Sequence, residues 1–585
     1  MKNEKHTSTI MWLSQTAGKK KGLIFCLVGI QIALGLSNVL FTFLFRSLVD
    51  FAMAGEKDDF FKIVVKMAGL MASQAALRAL EYFLYEWTCS TMENVLKSRL
   101  FSCLLDKHYA DVVAVHSGEW MNRLTSDTVV VAGGMVEILP GVTGLLARLG
   151  GALAAMYVLE PIFVYILVPG GLLAFLVTYL FRRVLKRLHK RIQEADGVLR
   201  IFLQEHLGSL MIVRAFGMEE GTEKKAIERM RQHKAVRMKR NLLSNICSTA
   251  FLAAAGGLYL FGAIYCGYGI LQGTISYGTM MAMLQLIGQV QSPVANITGY
   301  LPRYYTMIAS AERLMEAEYF AEDCTGNRIS VQEIERFYRE EFTAIGLRRA
   351  CFSYQPLVQE TEAGENADCR PIVLDQVNLE IKKGEYVAFT GHSGCGKSTV
   401  LKLLMSLYPL EAGERYISGL RPFTDNREIG RREQPLDARW RGLFAYVPQG
   451  NQLMSGTIRE AVAFGDSEGM RQEERLREAL RIACADEFVG YLPDGLDTLL
   501  GERGSGLSEG QMQRLAIARA IFSGHPILML DEATSALDEE TERKLLTNLK
   551  SMTDKTVLIV THRLAVLQIC DKQIAMTQGG CRTVC

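Results

Sequence analysis

Gly22 to Phe45 is a run of 24 residues without a charge. As a helix it would be about 36 Å long, against a hydrocarbon core of about 30 Å in a bilayer. Three further runs are equally clean: Pro161 to Phe181, Ile246 to Leu271 and Ser276 to Leu301. Two are interrupted, Ile63 to Tyr85 by Lys66, Arg78 and Glu81, and Ile138 to Leu159 by Arg148. These still span if their charges face protein or water rather than lipid. The expectation is six membrane spans, at about 22–45, 63–85, 138–159, 161–181, 246–271 and 276–301.

The segments between the runs set the orientation. Arg46 to Lys62, the turn at Glu160 and Gln272 to Ile275 are short, whereas Glu86 to about Thr128 and Arg182 to about Asn245 are long, polar and helical in pattern. From Arg182 to Arg240 there are sixteen Lys and Arg against seven Asp and Glu. The positive-inside rule places both long loops and both termini in the cytoplasm. A basic helical loop also fits nucleic acid or anionic lipid, but apolar positions such as Leu185, Leu188 and Ile192 favour helices that leave the membrane and pack on one another. A net charge of +2 gives no polyelectrolyte character that would point to nucleic acid. The first twenty-one residues carry Lys2, Lys5, Lys19, Lys20 and Lys21, and the apolar run behind them is longer than a signal-peptide core, so it should stay in the membrane. The thirteen cysteines show no C-x-x-C pair and no metal-ligand spacing. They read as small apolar residues of a reducing compartment, in preference to chelation or cross-linking by Cys581 and Cys585.

Beyond residue 315 the membrane pattern ends. Charged helical sequence over 316–344 reads as a linker, and 345–585 alternates strands and helices as a largely parallel sheet does, with ligands at strand C-terminal ends. The acidic stretch Gln355 to Arg370, with Glu360, Glu362, Glu365 and Asp368, reads as a solvated insertion.

Chemistry enters at Gly391 to Thr399, GHSGCGKST, which follows an apolar strand (Tyr386 to Phe389) and opens a helical run (Val400 to Leu407). Such a loop turns backbone N–H groups inward around phosphate oxygens, and the helix start adds partial positive charge. Gly391, Ser393, Gly394, Cys395, Gly396, Lys397, Ser398 and Thr399 are the expected ATP contacts, with Lys397 on the terminal phosphates and Ser398 on Mg²⁺. In PILMLDEATSALD, four apolar residues deliver Asp531 to a strand end, where it would hold Mg²⁺ through water. Glu532 is then suited to orient or polarise the attacking water. In LSEGQ, Leu507 to Gln511, the Ser508 hydroxyl and a helix start form an anion site with no phosphate nearby in sequence; alone, such a serine is an ordinary N-cap.

Together these three pieces resemble the nucleotide-binding domain of ABC transporters. The resemblance implies that Tyr354 in CFSYQP stacks on adenine, and that Gln449 in YVPQ touches Mg²⁺ and the attacking water. It assigns Gly501 to Gly504, GERG, to contact with the cytoplasmic loops, Asp538 to signalling across a dimer, and His562 to the γ-phosphate. Ser508, Gly510 and Gln511 would hold the ATP of a second subunit. Glu509 departs from the commonest residue of that motif, and the loop between Tyr354 and Val373 is longer than usual. Cys395 would be open to alkylation beside the ATP.

The resemblance extends to the membrane half. Six spans ahead of one ATPase domain look like an exporter-type half transporter, in which HSGEWMNRLTSDT (His116 to Thr128) and LGSLMIVRAFGMEE (Leu207 to Glu220) correspond to cytoplasmic coupling regions. The implied fold is an α-helical membrane domain with long cytoplasmic extensions, followed by an α/β P-loop ATPase domain. The implied partner is a second half transporter, a homodimer in preference to a heterodimer, in the plasma (inner) membrane.

The implied function is ATP-driven export of a drug-like solute, lipid or peptide, with an importer of the same fold as a variant. Two rivals stand beside it. A membrane-tethered ATPase could gate or signal without moving cargo, and a soluble relative could act on nucleic acid, which the six spans contradict. The absence of a peptidase-like extension before the first span argues against a transporter that cleaves its cargo. Within the spans, Arg78 and Glu81 share a helix face and are expected to pair. Glu137, Arg148, Gln285, Gln289, Gln291 and Asn296 are candidates to line a polar path.

Overall fold

The computed structural model describes residues 2–324, 329–354, 372–422, 429–450, 453–501, 504, 506–552, 554–577 and 580–584. The acidic insertion expected at Gln355 to Arg370, Glu502 and Arg503 of the GERG segment, and Cys585 lie outside them. The chain divides into two compact units, Met1–Arg99 with Arg123–Met315, and Leu100–Asn122 with Glu316–Cys585.

In the first unit the six expected spans fall on six long helices: Lys21–Ala54, Lys57–Asp106, Thr128–Leu159, Pro161–Gly208, Glu219–Leu271 and Tyr277–Glu316. Among the described residues, Thr9–Ala54, Lys57–Asp106, Ser117–Leu159 and Leu252–Leu271 are long and apolar enough to cross a membrane. The first connection is short because Gly55 caps its helix in the left-handed region, at φ 78°. Helices of 48 to 53 residues run on past the apolar stretches, about 75 Å for fifty residues.

Small residues let helices Lys21–Ala54 and Thr128–Leu159 approach closely. A Cβ on Gly35 would lie 3.1 Å from the Gly144 carbonyl, and one on Gly151 would lie 3.0 Å from Val39. Val39, Met156, Phe163, Met283, Leu286 and Ile287 form a buried core here.

Polar side chains in the spans are mostly satisfied by neighbouring helices. Glu81 accepts from Gln31 Nε2, so the pairing expected with Arg78 gives way to a bond between helices. Glu137 pairs with Arg303. Gln289 donates to Thr42 Oγ1 at 2.9 Å and Gln291 to the Ala255 carbonyl at 3.0 Å, while Asn296 donates to Ser292 Oγ within its own helix. Arg148 Nε and Gln285 Oε1 are buried without a hydrogen-bond partner.

The second unit holds two sheets. An antiparallel sheet of order β2-β1-β4-β5 comprises β1 (Phe342–Ser353), β2 (Ile372–Lys382), β4 (Ala412–Pro422) and β5 (Ile429–Pro435). The larger sheet, of order β12-β11-β3-β10-β9-β6, comprises β3 (Tyr386–Thr390), β6 (Phe444–Val447), β9 (Ile527–Asp531), β10 (Thr556–Val560), β11 (Lys572–Thr577) and β12 (Gly580–Val584). Its four neighbours β3, β10, β9 and β6 are parallel, and β9 and β10 are buried along their whole length. Strands covered on both faces read as near-continuous apolar runs, as ILML and VLIV do. A minor pair, β7 (Gly456–Thr457) and β8 (Leu499–Leu500), stands apart.

The stretch 316–344, expected to be a linker, instead contributes to this core. Val331–Glu340 is a helix with a capping box between Ser330 and Glu333. It buries Ile334 and Tyr338 at i and i+4 in one cluster with Phe342, while its charges face outward. The strip before it is held by backbone pairing: Lys107 bridges Glu322, His108 N–H donates to the Ala321 carbonyl at 3.0 Å, and Asp323 N–H donates to the Asp106 carbonyl at 2.9 Å. Asp323 also pairs with Arg441, and Trp120 packs edge-on against Phe320 at 6.0 Å. The segment His116 to Thr128, expected to be a coupling region, thus begins within the unit that carries the two sheets.

Candidate active site

Four parallel strands end on one edge of the larger sheet, and each is followed by a residue expected to act on ATP. After β3 comes the phosphate loop, after β6 Gln449, at the end of β9 Asp531 and Glu532, and after β10 His562. Lys397 is 5% exposed, with Nζ donating to the carbonyls of Gly391 at 2.9 Å and His392 at 3.0 Å. Ser398 Oγ donates to Asp531 Oδ1 at 2.7 Å. Gln449 Nε2 donates to Glu532 Oε2 at 2.9 Å, and His562 Nε2 lies 3.7 Å from Glu532 Oε1. The structure therefore brings together Lys397, Ser398, Asp531, Gln449, Glu532 and His562.

Glu532 has φ 51°. A non-glycine residue in the left-handed region is uncommon and marks strain, here on the residue proposed to handle the water. Asp531 is 2% exposed. With the Ser398 hydroxyl and the Gln449 amide it offers hard oxygen donors suited to a small divalent cation, so the residues present fit Mg²⁺.

Tyr354 reaches the phosphate loop, its hydroxyl 3.0 Å from Thr399 Oγ1. Its ring is braced edge-on by Phe352 at 4.9 Å and Tyr408 at 5.3 Å. Burial and the neighbouring Tyr109 and Tyr354 hydroxyls push the Tyr408 phenol up to about 12.

Cys395 corrects its expectation. It is 2% exposed and packed in the core under the loop, where its Sγ lies 2.9 Å from the position a Gly391 Cβ would take. Thiol reagents are expected to leave ATP hydrolysis unchanged. Inactivation of the wild type that Cys395→Ala prevents would contradict that burial. Cys581 is likewise engaged, donating to the Asn378 carbonyl at 3.3 Å, with burial raising its thiol.

A second group assembles apart from the first. Ser508 caps helix Glu509–Phe522, its Oγ accepting from Gln511 N–H at 3.3 Å while Gln511 Oε1 accepts from Ser508 N–H at 2.9 Å. Gly510 is needed for close approach: a Cβ there would sit 2.9 Å from the Ala536 carbonyl. Asp538 caps helix Glu539–Lys550, and the N–H of Thr541 holds its carboxyl below the usual range.

Three residues that sequence reasoning passed over brace these groups, and one of them, Arg563, links the two. Buried Gln513 donates to Ser535 Oγ at 3.0 Å and accepts from Ala536 N–H at 3.0 Å, tying the LSEGQ helix to the segment before Asp538. Arg563, next to His562, donates to the Leu537 and Ser535 carbonyls and pairs with buried Glu542 at 2.8 Å. Tyr446 OH donates to Asp531 Oδ2 at 3.0 Å, and burial and that carboxylate raise its phenol far above the usual value. A polar residue inside an apolar run (Gln513 in MQRLAIARAIF, Tyr446 in FAYV) was the available signal.

A phosphate loop, a strand-borne carboxylate pair and a helix-capping anion motif, in one chain with long helices of which four among the described residues are apolar enough to cross a membrane, define an ATP-dependent membrane transporter. Residues 24–294 match the ABC transporter transmembrane region, and residues 374–535 match the ABC transporter family. An ATP-dependent lipid A-core flippase of Pseudomonas fluorescens (strain Pf0-1) is 30% identical over 517 residues, covering 85% of this chain and 78% of that protein. An uncharacterized ABC transporter ATP-binding protein, YwjA of Bacillus subtilis (strain 168), is 29% identical over 94% of this chain and 91% of its own length. A bacterial Atm1-family ABC exporter solved with ATP bound shares the fold, with a TM-score of 0.75 at 20% identity, covering 95% of this chain and 94% of that one. The chain belongs to the ABC transporter family, as an exporter-type half transporter. It is an integral, multi-pass membrane protein whose ATPase activity is coupled to transport, and half transporters of this family dimerise.

Proposed function

We propose that the chain is one half of a homodimeric exporter that moves an amphipathic, lipid-like solute out of the cytoplasm. The observation that carries the reading is the convergence of Lys397, Ser398, Gln449, Asp531, Glu532 and His562 at one sheet edge. Lys397 exchanges its two carbonyl acceptors for phosphate oxygens. Ser398, Asp531 and Gln449 would hold Mg²⁺, whose charge would neutralise that of the phosphates. Glu532, positioned by Gln449, orients the attacking water toward the phosphate that His562 contacts. Tyr354 stacks on the adenine.

Ser508, Gly510 and Gln511 complete the ATP site of the second chain, so each of two ATPs is held by both copies. Helix Leu210–Ala215 and the residue after it leave Met211, Ile212 and Phe216 exposed at 83%, 58% and 76%. Apolar surface of that kind supports a contact with the second copy. The basic loop over 182–240 supports a cytoplasmic placement of the ATPase domain, in the inner membrane. The lipid A-core flippases among the relatives support an amphipathic cargo. Arg148 Nε and Gln285 Oε1, buried among the spans without partners, are consistent with a polar head group.

Reconstitution into sealed vesicles tests the reading. ATP should drive movement of a lipid-like probe across the bilayer, and the extracted complex should have the mass of two identical chains. ATP hydrolysis without movement of any probe would favour a regulatory ATPase, and a mixed complex would overturn the homodimer.

A further inference from the structure

The Asp531 carboxylate is held at both oxygens. Ser398 Oγ donates to Oδ1 at 2.7 Å, as a phosphate-loop serine beside a strand-end aspartate suggests. The other oxygen, Oδ2, accepts from Tyr446 OH at 3.0 Å. β6 and β9 are parallel neighbours with Tyr446 in register with Met529, so the phenol reaches along the adjacent strand to its last residue. The ring is half-buried and the carboxylate it reaches is 2% exposed.

We propose that Tyr446 is a positioning residue for the metal-holding carboxylate. The inference rests on the reading of Asp531 as a magnesium-holding group. An aspartate carboxylate turns easily about its terminal torsion, whose energy profile is broad. One donor fixes one oxygen and leaves the plane free to rock. A second donor on the opposite oxygen sets the plane and so aims Oδ1 at Ser398, the residue that would share the metal with it. The phenol is neutral at physiological pH and acts as a donor throughout. A second tyrosine braces the same helix start, because the Tyr354 hydroxyl lies 3.0 Å from Thr399 Oγ1, one residue beyond Ser398. The two phenols thus hold consecutive phosphate-loop residues, one directly and one through Asp531.

Partners that orient a ligating group without touching the metal are worth roughly 10- to 100-fold in metal affinity. The test uses the full chain in nanodiscs with a non-hydrolysable ATP analogue and Mn²⁺, whose binding is read by electron paramagnetic resonance. Tyr446→Phe keeps the ring and removes only the donor. It is expected to weaken Mn²⁺ binding by about tenfold, with metal-free analogue affinity unchanged and the fold retained in circular dichroism. The Mg²⁺ concentration that half-saturates hydrolysis should rise in step, with kcat at saturating Mg²⁺ retained. Tyr408→Phe, which removes a hydroxyl from the next ring in the cluster, should leave Mn²⁺ affinity at the wild-type value. Unchanged Mn²⁺ affinity in Tyr446→Phe would overturn the inference, and so would an equal loss in Tyr408→Phe, which would mark a general packing effect. A wild-type chain that binds the analogue but no Mn²⁺ would overturn the magnesium reading itself and this inference with it.

Discussion

Glu532→Gln is expected to lower ATP turnover by about two to three orders of magnitude, the scale on which a general base acts, while leaving ATP binding intact. The amide has almost the shape of the carboxylate, and its oxygen can still accept from Gln449 Nε2, which now donates to Glu532 Oε2 at 2.9 Å. The backbone at φ 51° is fixed by its own contact, Glu532 N–H donating to the Val560 carbonyl at 3.1 Å, and that bond does not involve the side chain. The substitution therefore removes a negative charge and a proton acceptor while sparing the fold. Its signature is slow turnover with an unchanged melting temperature and a dimer that stays closed on ATP. Hydrolysis at the wild-type rate would remove Glu532 from the chemistry.

Gly391→Ala tests the loop from the side of packing. Gly391 has φ 139°, where only glycine is comfortable, and a Cβ there would lie 2.4 Å from the Met576 carbonyl and 2.9 Å from Cys395 Sγ. Neither neighbour yields readily: one is backbone of β11 and the other is packed in the core. Backbone strain of about 1–3 kcal/mol adds to overpacking of about 1–3 kcal/mol. The expected result is a lower melting temperature for the ATPase unit, read by calorimetry, together with loss of nucleotide binding. A variant that melts and binds ATP as the wild type does would show that the loop can move away from β11.

Much of the site was legible because its residues sit beside features that local chemistry announces. Gly391, Gly394 and Gly396 flag a backbone that must turn, ILML flags a buried strand, and Ser508 occupies a cap position. The long apolar helices were legible because lipid tolerates so few charges. What was hidden depends on neighbours distant in sequence. β6, β9 and β10 follow β3 in the chain, but β10 lies between β3 and β9, so the adjacency of His562 to Glu532 is a product of strand order. Tyr446 reads as one more core residue until the parallel register places its hydroxyl at Asp531. Glu81 was read against its helical neighbour Arg78, but its acceptor is satisfied by Gln31, fifty residues earlier. The stretch 316–344 reads as a linker in sequence because the pairing of 321–323 with 106–108 runs through backbone atoms, which leave no mark on residue type.

That pairing bears on how such a chain can be recombined. A single crossover near residue 316, grafting the ATPase half of one transporter onto the membrane half of another, would set a foreign 106–108 against the native 321–323 and a foreign Trp120 against Phe320. An exchange that keeps the ATPase unit whole must carry residues 100–122 along with it. The part that can be inherited intact is therefore discontinuous in the gene, and naturally mosaic relatives should show two exchanged blocks where a linear map would suggest one.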